Sequence, residues 1–244
     1  MKRIIIMGAT SGLGQEAALN FINNGWIVGI AGRRSNLLEK IHSLAPDRVH
    51  TKNIDICLED ADRKLHELIE ELGGMDVYLH CSGIGSQNHT LNSETELKTI
   101  QTNGEGFVRM VTTAFNYFKK QKEGGHIAVI SSIAGVKGLG VAPAYSASKR
   151  MQNTYLEALA QLAHMQRLNI SFTDIRPGFV DTELLKGKKY PMLMKSTSVG
   201  RSIFHAIIHK KRIVILDYRY RILVFFWKLI PQYLWERLHV SNRK

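Results

Sequence analysis

Tyr145 and Lys149 stand four residues apart in Tyr145-Ser146-Ala147-Ser148-Lys149. On a helix that spacing puts a phenol and an ammonium on one face, one turn apart. A free phenol titrates near ~10, too high for acid–base work at neutral pH, and a neighbouring ammonium favours the phenolate. Such a pair also occurs in many helices that do no chemistry. Its company makes it informative. Ser131 and Ser132 end an apolar run, with Ser132 thirteen residues before Tyr145. A hydroxyl at the carboxyl end of a buried strand faces the ligand crevice of an open α/β sheet, although serines are also common at loop starts. Asn103, in Thr102-Asn103-Gly104, can hold backbone groups and water beside the lysine; a local helix kink at Gly104 is the plainer alternative.

A second chemistry lies at the start of the chain. Gly8-Ala9-Thr10-Ser11-Gly12-Leu13-Gly14 follows Ile4–Met7 and precedes a helical pattern. Positions without side chains let backbone approach a pyrophosphate, and a helix N-terminus offers free N–H groups. The acidic residue that selects NAD is expected about 20 positions later. The chain has Gly32-Arg33-Arg34 there instead. Two guanidinium groups suit a ribose 2′-phosphate, which predicts NADP(H) in preference to NAD(H). Asp55 is placed to accept from an adenine amino group, or to cap the turn before Glu59.

These side chains need a frame to hold them. Short apolar runs at Ile4–Met7, Trp26–Ala31, Val49–Ile54, Met75–His80, His126–Ser131, Ile170–Ile175 and Ile213–Leu216 read as strands. Helical patterns separate them: Gly14–Asn23, Asn36–Leu44, Ala61–Leu72, one long helix over Glu94–Lys120, Tyr145–Leu168 and Val199–Lys210. The strands are continuously apolar, as in a parallel sheet buried on both faces. The alternation predicts an α/β, doubly wound, mostly parallel seven-stranded sheet over 1–217, with an extension over 218–244.

A chain of 244 residues suits one such domain. Cys57 and Cys81 do not make a disulfide framework and read as reduced thiols in a cytoplasmic protein. The apolar run at the N-terminus is too short for a signal peptide, and its removal would cut into the glycine loop. The net charge of +12 is localised: residues 186–244 hold 14 Lys/Arg against two acids, and the preceding residues balance. A localised excess points to a face that meets something negative.

In order and type, these residues resemble the short-chain dehydrogenases/reductases over about residues 1–217. The matching positions are Gly8, Gly12 and Gly14, Asp55, Ser82-Gly83, Asn103, Ser132, Tyr145, Lys149 and Arg176-Pro177-Gly178-Phe179-Val180-Asp181-Thr182. The resemblance implies that Tyr145 exchanges a proton with a carbonyl or alcohol oxygen while Ser132 orients it. Lys149 would bind the nicotinamide ribose and lower the Tyr145 pKa, and Asn103 would anchor a water leading from Lys149 to solvent. Thr10, Ser11, Leu13, Ile56, Ser82 and Gly83 would join the glycines around the cofactor. Pro177, Gly178, Val180 and Thr182 would shape its nicotinamide pocket. The chain departs from the family at His80-Cys81-Ser82-Gly83, where Asn-Asn-Ala-Gly is usual, and lacks a basic residue just before Gly12.

The extension mixes aromatic and basic residues, and its longest uncharged apolar run, Ile222–Trp227, is far below the ~20 residues that span a bilayer. It reads as a membrane-interface segment, a substrate lid or a subunit contact. The basic stretch Lys186–Lys195 would add attraction to anionic lipid. No nucleic-acid motif accompanies the charge and no metal site is expected. Tyr190-Pro191-Met192-Leu193-Met194 favours an apolar substrate. The expected protein is an NADP(H)-dependent oxidoreductase of small carbonyls and alcohols, a homodimer or homotetramer. It is placed in the cytoplasm, with peripheral contact at the inner face of a membrane as a further expectation. A cofactor-binding regulator or scaffold and a membrane-recruited lipid ketone reductase are the alternatives.

Overall fold

The computed structural model describes residues 1–185 and 190–240. Its strands are β1 Arg3–Met7, β2 Ile27–Gly32, β3 Val49–Asn53, β4 Val77–His80, β5 Gly125–Ile130, β6 Ile170–Arg176, β7 Val180–Asp181, β8 Met194–Lys195 and β9 Ile213–Ile215. Its helices are α1 Gly12–Asn23, α2 Ser35–His42, α3 Ala61–Glu71, α4 Ser93–Ile100, α5 Phe107–Lys119, α6 Pro143–Met165, α7 Ser196–Ile208, α8 Tyr218–Leu229 and α9 Gln232–Trp235.

Seven strands form one sheet in the order β3-β2-β1-β4-β5-β6-β9, every neighbouring pair parallel. The order reverses between β1 and β4, the switch point at which open α/β sheets bind ligands. Within β1, Ile4 and Ile6 enter the core beneath α1, α2 and α7, while Ile5 and Met7 enter the core beneath α3, α5 and α6. Both faces being covered is the physical reason these strands are apolar throughout. All seven sheet strands lie where the apolar runs predicted them, with ends shifted by one or two residues.

Three features add to this pattern. β7 and β8 pair in parallel as a separate two-stranded unit, Val180 opposite Met194. The long helix expected over Glu94–Lys120 is helical but not uniform: Gln101–Gly106, between α4 and α5, is a π-helical segment. Such segments are rare and gather at functional sites. Thirdly, the extension does not stand apart from the domain. Tyr220 and Val224 of α8 are buried in the core under α1, α2 and α7. The Lys186–Lys189 part of the predicted basic stretch lies outside the described residues.

Candidate active site

β1 delivers the glycine loop to the carboxyl edge of the sheet. Gly8 has φ 89°, and a Cβ there would lie 2.7 Å from the Ser82 backbone nitrogen. A Cβ on Gly14 would strike the Gly8 carbonyl oxygen. The loop can therefore lie flat against the start of the segment after β4 only without these side chains. Ser11 is the N-cap of α1 and makes no side-chain cap bond, which leaves first-turn amides turned outward. A Cβ on Gly12 would come within 3.5 Å of Thr182. Thr182 thus sits across from the loop, its hydroxyl 3.3 Å from the Val180 carbonyl. Leu13 packs into the core beside the loop.

Arg34 closes over this loop. Its Nη2 donates to Ser11 Oγ at 2.6 Å and to Thr10 Oγ1 at 3.0 Å, and its Nη1 lies 3.3 Å from Glu183. Arg33 points the other way, its guanidinium largely exposed and 3.9 Å from the Asp55 carboxylate. Asp55 Oδ1 accepts from the Cys57 backbone N–H at 3.0 Å, so the aspartate also shapes its own turn. Ile56 is buried; its carbonyl accepts from Arg109 at 2.8 Å, and its side chain fills the space where a Cβ on Gly106 would sit.

The catalytic candidates converge from three elements. Ser132 follows β5, and its Oγ accepts from the Ala134 backbone N–H at 3.0 Å. Pro143 opens α6 at a position where its missing N–H costs nothing, and α6 then carries Tyr145 and Lys149. The phenol is pushed up by burial and pulled back by the Ser132 hydroxyl. Lys149 is brought down to about 8 by burial, partly countered by the Asp174 carboxylate. Its ammonium lies 5.8 Å from the Tyr145 ring centre and donates to Ile130 O at 3.1 Å and Gln152 Oε1 at 3.0 Å. Burial outweighs the pull of Ser132, so the phenol stays above its ordinary value.

Asn103 lies in the π-helical segment and is fully buried. Its Oδ1 accepts from Ile84 N at 2.8 Å, and its Nδ2 donates to Ile84 O at 2.7 Å and to Ser148 Oγ at 3.1 Å. The side chain thus clasps the loop after β4 from both sides. A Cβ on Gly83 would lie 3.2 Å from this amide oxygen and 3.6 Å from the Lys149 ammonium. Gln152 went unnoticed in the sequence. It is fully buried, and its Nε2 donates to the Asn103 carbonyl at 2.9 Å while its Oε1 accepts a hydrogen bond from the Lys149 ammonium. Its spacing of three from Lys149 on one helix was the available signal. Gly85 was also missed as a close neighbour: a Cβ there would strike the Tyr145 ring.

The departure at His80-Cys81 is accommodated locally. His80 Nδ1 is 3.0 Å from the Tyr78 hydroxyl, and burial holds His80 neutral with a pKa of about 3. The Cys81 N–H donates to Met7 O at 2.8 Å, and burial pushes its thiol far up. On the substrate side, Pro177 O accepts from Ile133 N at 3.1 Å. Gly178 lies against the Tyr220 ring with no room for a Cβ. The Tyr220 hydroxyl accepts from Phe179 N at 3.0 Å and lies 3.2 Å from both the Pro191 and Met192 carbonyls. This tail residue therefore clasps both ends of the loop between Phe179 and Met192.

The sequence profile described as short chain dehydrogenase matches residues 2–191. This chain belongs to the short-chain dehydrogenase family. Among curated relatives, an uncharacterized oxidoreductase of Mycobacterium tuberculosis is 30% identical, covering 86% of this chain and 85% of the relative. An uncharacterized oxidoreductase of Myxococcus xanthus is 31% identical over 77% of this chain and 76% of its own. Dehydrogenase/reductase SDR family member 7B of Bos taurus is 27% identical over 99% of this chain and 81% of its own. Two solved structures share the fold. The closed form of serine dehydrogenase complexed with NADP+ has a TM-score of 0.76 at 21% identity, covering 88% of this chain and 93% of that one. ElxO with NADP bound has a TM-score of 0.78 at 22% identity, covering 88% and 97%. The chain is a short-chain dehydrogenase-type oxidoreductase on a Rossmann-like sheet.

Proposed function

We propose that this short-chain dehydrogenase is an NADP(H)-dependent reductase that interconverts an apolar ketone or aldehyde with its alcohol. The observation that carries the reading is the convergence of buried Ser132, Lys149 and Asn103 on the half-buried Tyr145, next to a glycine loop roofed by Arg34. A nicotinamide dinucleotide fits the residues present. Gly8, Gly12 and Gly14 leave a side-chain-free cradle at an open helix N-terminus, bordered by Thr10, Ser11, Leu13, Ser82 and Gly83. Arg33 is free to turn onto a 2′-phosphate, and Arg34 is already at the loop. Asp55 and Ile56 line the adenine side in this reading, and Pro177, Gly178, Val180 and Thr182 the nicotinamide side. Two structures sharing the fold carry NADP, which supports the cofactor class.

When bound, the nicotinamide supplies or accepts hydride. The remaining work falls to the protein. The Ser132 hydroxyl accepts from Ala134 N and so keeps its own proton to donate to a carbonyl oxygen. The Tyr145 hydroxyl, beside Ser132, gives its proton to the same oxygen during reduction and takes one during oxidation. The Lys149 ammonium stabilises the phenolate left behind. A homodimer or homotetramer through the helices carrying Asn103 and Tyr145, a cytoplasmic setting and membrane contact by the tail complete the proposal. No helix among the described residues is long and apolar enough to cross a membrane.

Titration with NADPH and with NADH, followed by turnover on a panel of apolar ketones and aldehydes, tests the reading. Tighter NADPH binding is expected, with Tyr145→Phe retaining binding and losing about 10²–10⁴-fold in turnover. NADH preference would overturn the assignment of Arg33 and Arg34. Turnover unchanged in Tyr145→Phe would overturn the proton role.

A further inference from the structure

Helix α8 is apolar on two opposite faces. Tyr220, Val224 and the partly buried Trp227 turn inward and join the core. Tyr218, Ile222, Phe225, Phe226 and Leu229 turn outward, each 54–69% exposed. Their spacing of i, i+4, i+7, i+8 and i+11 makes one continuous stripe. Large apolar side chains scattered singly over a surface need no explanation, but a contiguous stripe marks a contact face. Tyr233 and Leu234 of α9, with Leu238 beyond it, continue the exposed apolar surface.

Basic residues flank the stripe. Arg219, ion-paired with Asp217 at 2.6 Å, lies on one side; Arg221 and Lys228 lie on the other. Lys228 also lines a cavity of about 410 Å³ between α8 and α6, together with Lys137, Arg150 and Arg176. Arg176 is held by Asp174, and Glu157 is the carboxylate on the cavity wall. Lys137, Arg150 and Lys228 leave this hollow positive.

We propose that the outer stripe of α8 docks on a bilayer containing anionic phospholipid. The helix lies in the plane of the interface, with headgroup phosphates against Lys228 and its cavity partners Lys137 and Arg150. Twelve residues of helix span only about 18 Å, well short of the ~30 Å hydrocarbon core, so the helix rests on the membrane and does not cross it. The charge decides between a lipid surface and a second copy. Stripe-to-stripe pairing would gather Arg221, Lys228 and Arg237 of both copies in one interface, whereas an anionic surface attracts all three.

The docked surface adjoins the catalytic loop. Trp235 Nε1 donates to Gly138 O at 2.7 Å and pins α9 to the segment between Ser132 and Tyr145. Gln232 of α9 closes a second cavity of about 600 Å³ with Leu139, Pro143 and Ala147. An apolar carbonyl compound dissolved in the lipid is therefore the substrate class that fits; that step rests on the reductase reading, whereas the docking does not.

Flotation of the full chain with phosphatidylcholine vesicles, with and without phosphatidylglycerol, tests the docking. Binding to phosphatidylglycerol vesicles at low salt is expected, weakened by high salt. Phe225→Glu/Phe226→Glu should lose binding at least tenfold with its thermal melting unchanged, since both side chains are exposed. Lys228→Glu should weaken it by about fivefold or more. The docking proposal fails if the wild type does not float with phosphatidylglycerol vesicles, or if the double glutamate variant floats as well as the wild type. A wild-type dimer that the double variant makes monomeric, with no vesicle binding by either, would assign the stripe to a second copy. Turnover of a water-soluble ketone, measured on the same samples, keeps failure of docking distinct from failure of the reductase reading.

Discussion

At the buried end of the candidate site, the Gln152 carboxamide bridges the Asn103 carbonyl and the Lys149 ammonium directly. It accepts from the charged form of the lysine and so supports that form against burial. Gln152→Met should lower the Lys149 pKa further and move the alkaline limb of the kcat–pH profile to lower pH. Gln152→Glu should move it the other way. Two variants shifting that limb together, or not at all, would show that Gln152 only packs. His80 offers a second residue-scale prediction. Burial depresses its pKa from 6.5 to about 3, so the unfolded chain binds the extra proton first. The stability this gives is fully present above about pH 6.5 and is lost as pH falls toward 3. His126, lowered to about 4, acts in the same direction. His80→Asn should flatten the stability–pH curve between pH 4.5 and 6 by about 1.4 kcal/mol per pH unit. Urea midpoints across that range measure it, and an unchanged slope would assign the proton uptake elsewhere. Ser132, Tyr145, Lys149 and Asn103 stood out in the sequence by their order and company, since none is unusual singly for its element. Gln152 did not, because a glutamine inside a long helix looks like surface until the fold turns it inward.

Among the elements, those with a strong period were readable and those set by a tertiary contact were not. The seven sheet strands showed as apolar runs because burial on both faces demands it. The two-residue strands β7 and β8 carry no period, and only their mutual pairing defines them. The π-helical segment was read as plain helix. Its extra turn residue swings Asn103 inward onto Ile84, and the close approach of Gly106 to Ile56 fits it in place, neither of which a local pattern reveals. The tail was readable as amphipathic but not as core. Tyr220 fills the space beside Gly178 and takes the Phe179 N–H. Tyr220→Phe should leave that N–H unpaired, cost about 1–3 kcal/mol in urea unfolding and raise the substrate KM through a looser 179–192 loop. Stability and KM both matching the wild type would show that water replaces the hydroxyl. Truncation before residue 218 should destabilise the whole domain, since it removes Tyr220 and Val224 from the core.

For the whole molecule, the strand order brings the loop-borne candidate residues to one end of the sheet. β1, β4 and β5 end side by side, and the loops leaving them carry Gly8, Gly83 and Ser132. β6 ends beside β5 and hands on to Pro177 and Gly178. Alternation of strands and helices was enough to predict this convergence, because right-handed crossovers bring successive carboxyl ends to the same side. The charge asymmetry was equally plain in the sequence, but its meaning depended on which side of α8 the core would claim. That helix has a further consequence. The Tyr220 hydroxyl ties α8 to Phe179, Pro191 and Met192, while the opposite side of the same helix faces outward. The two are linked like the ends of a short lever. In the proposed docking, a bilayer seated against the outer face would push on the same rod that holds these residues, coupling adsorption to turnover, and the enzyme's working concentration would be counted per unit area and not per unit volume.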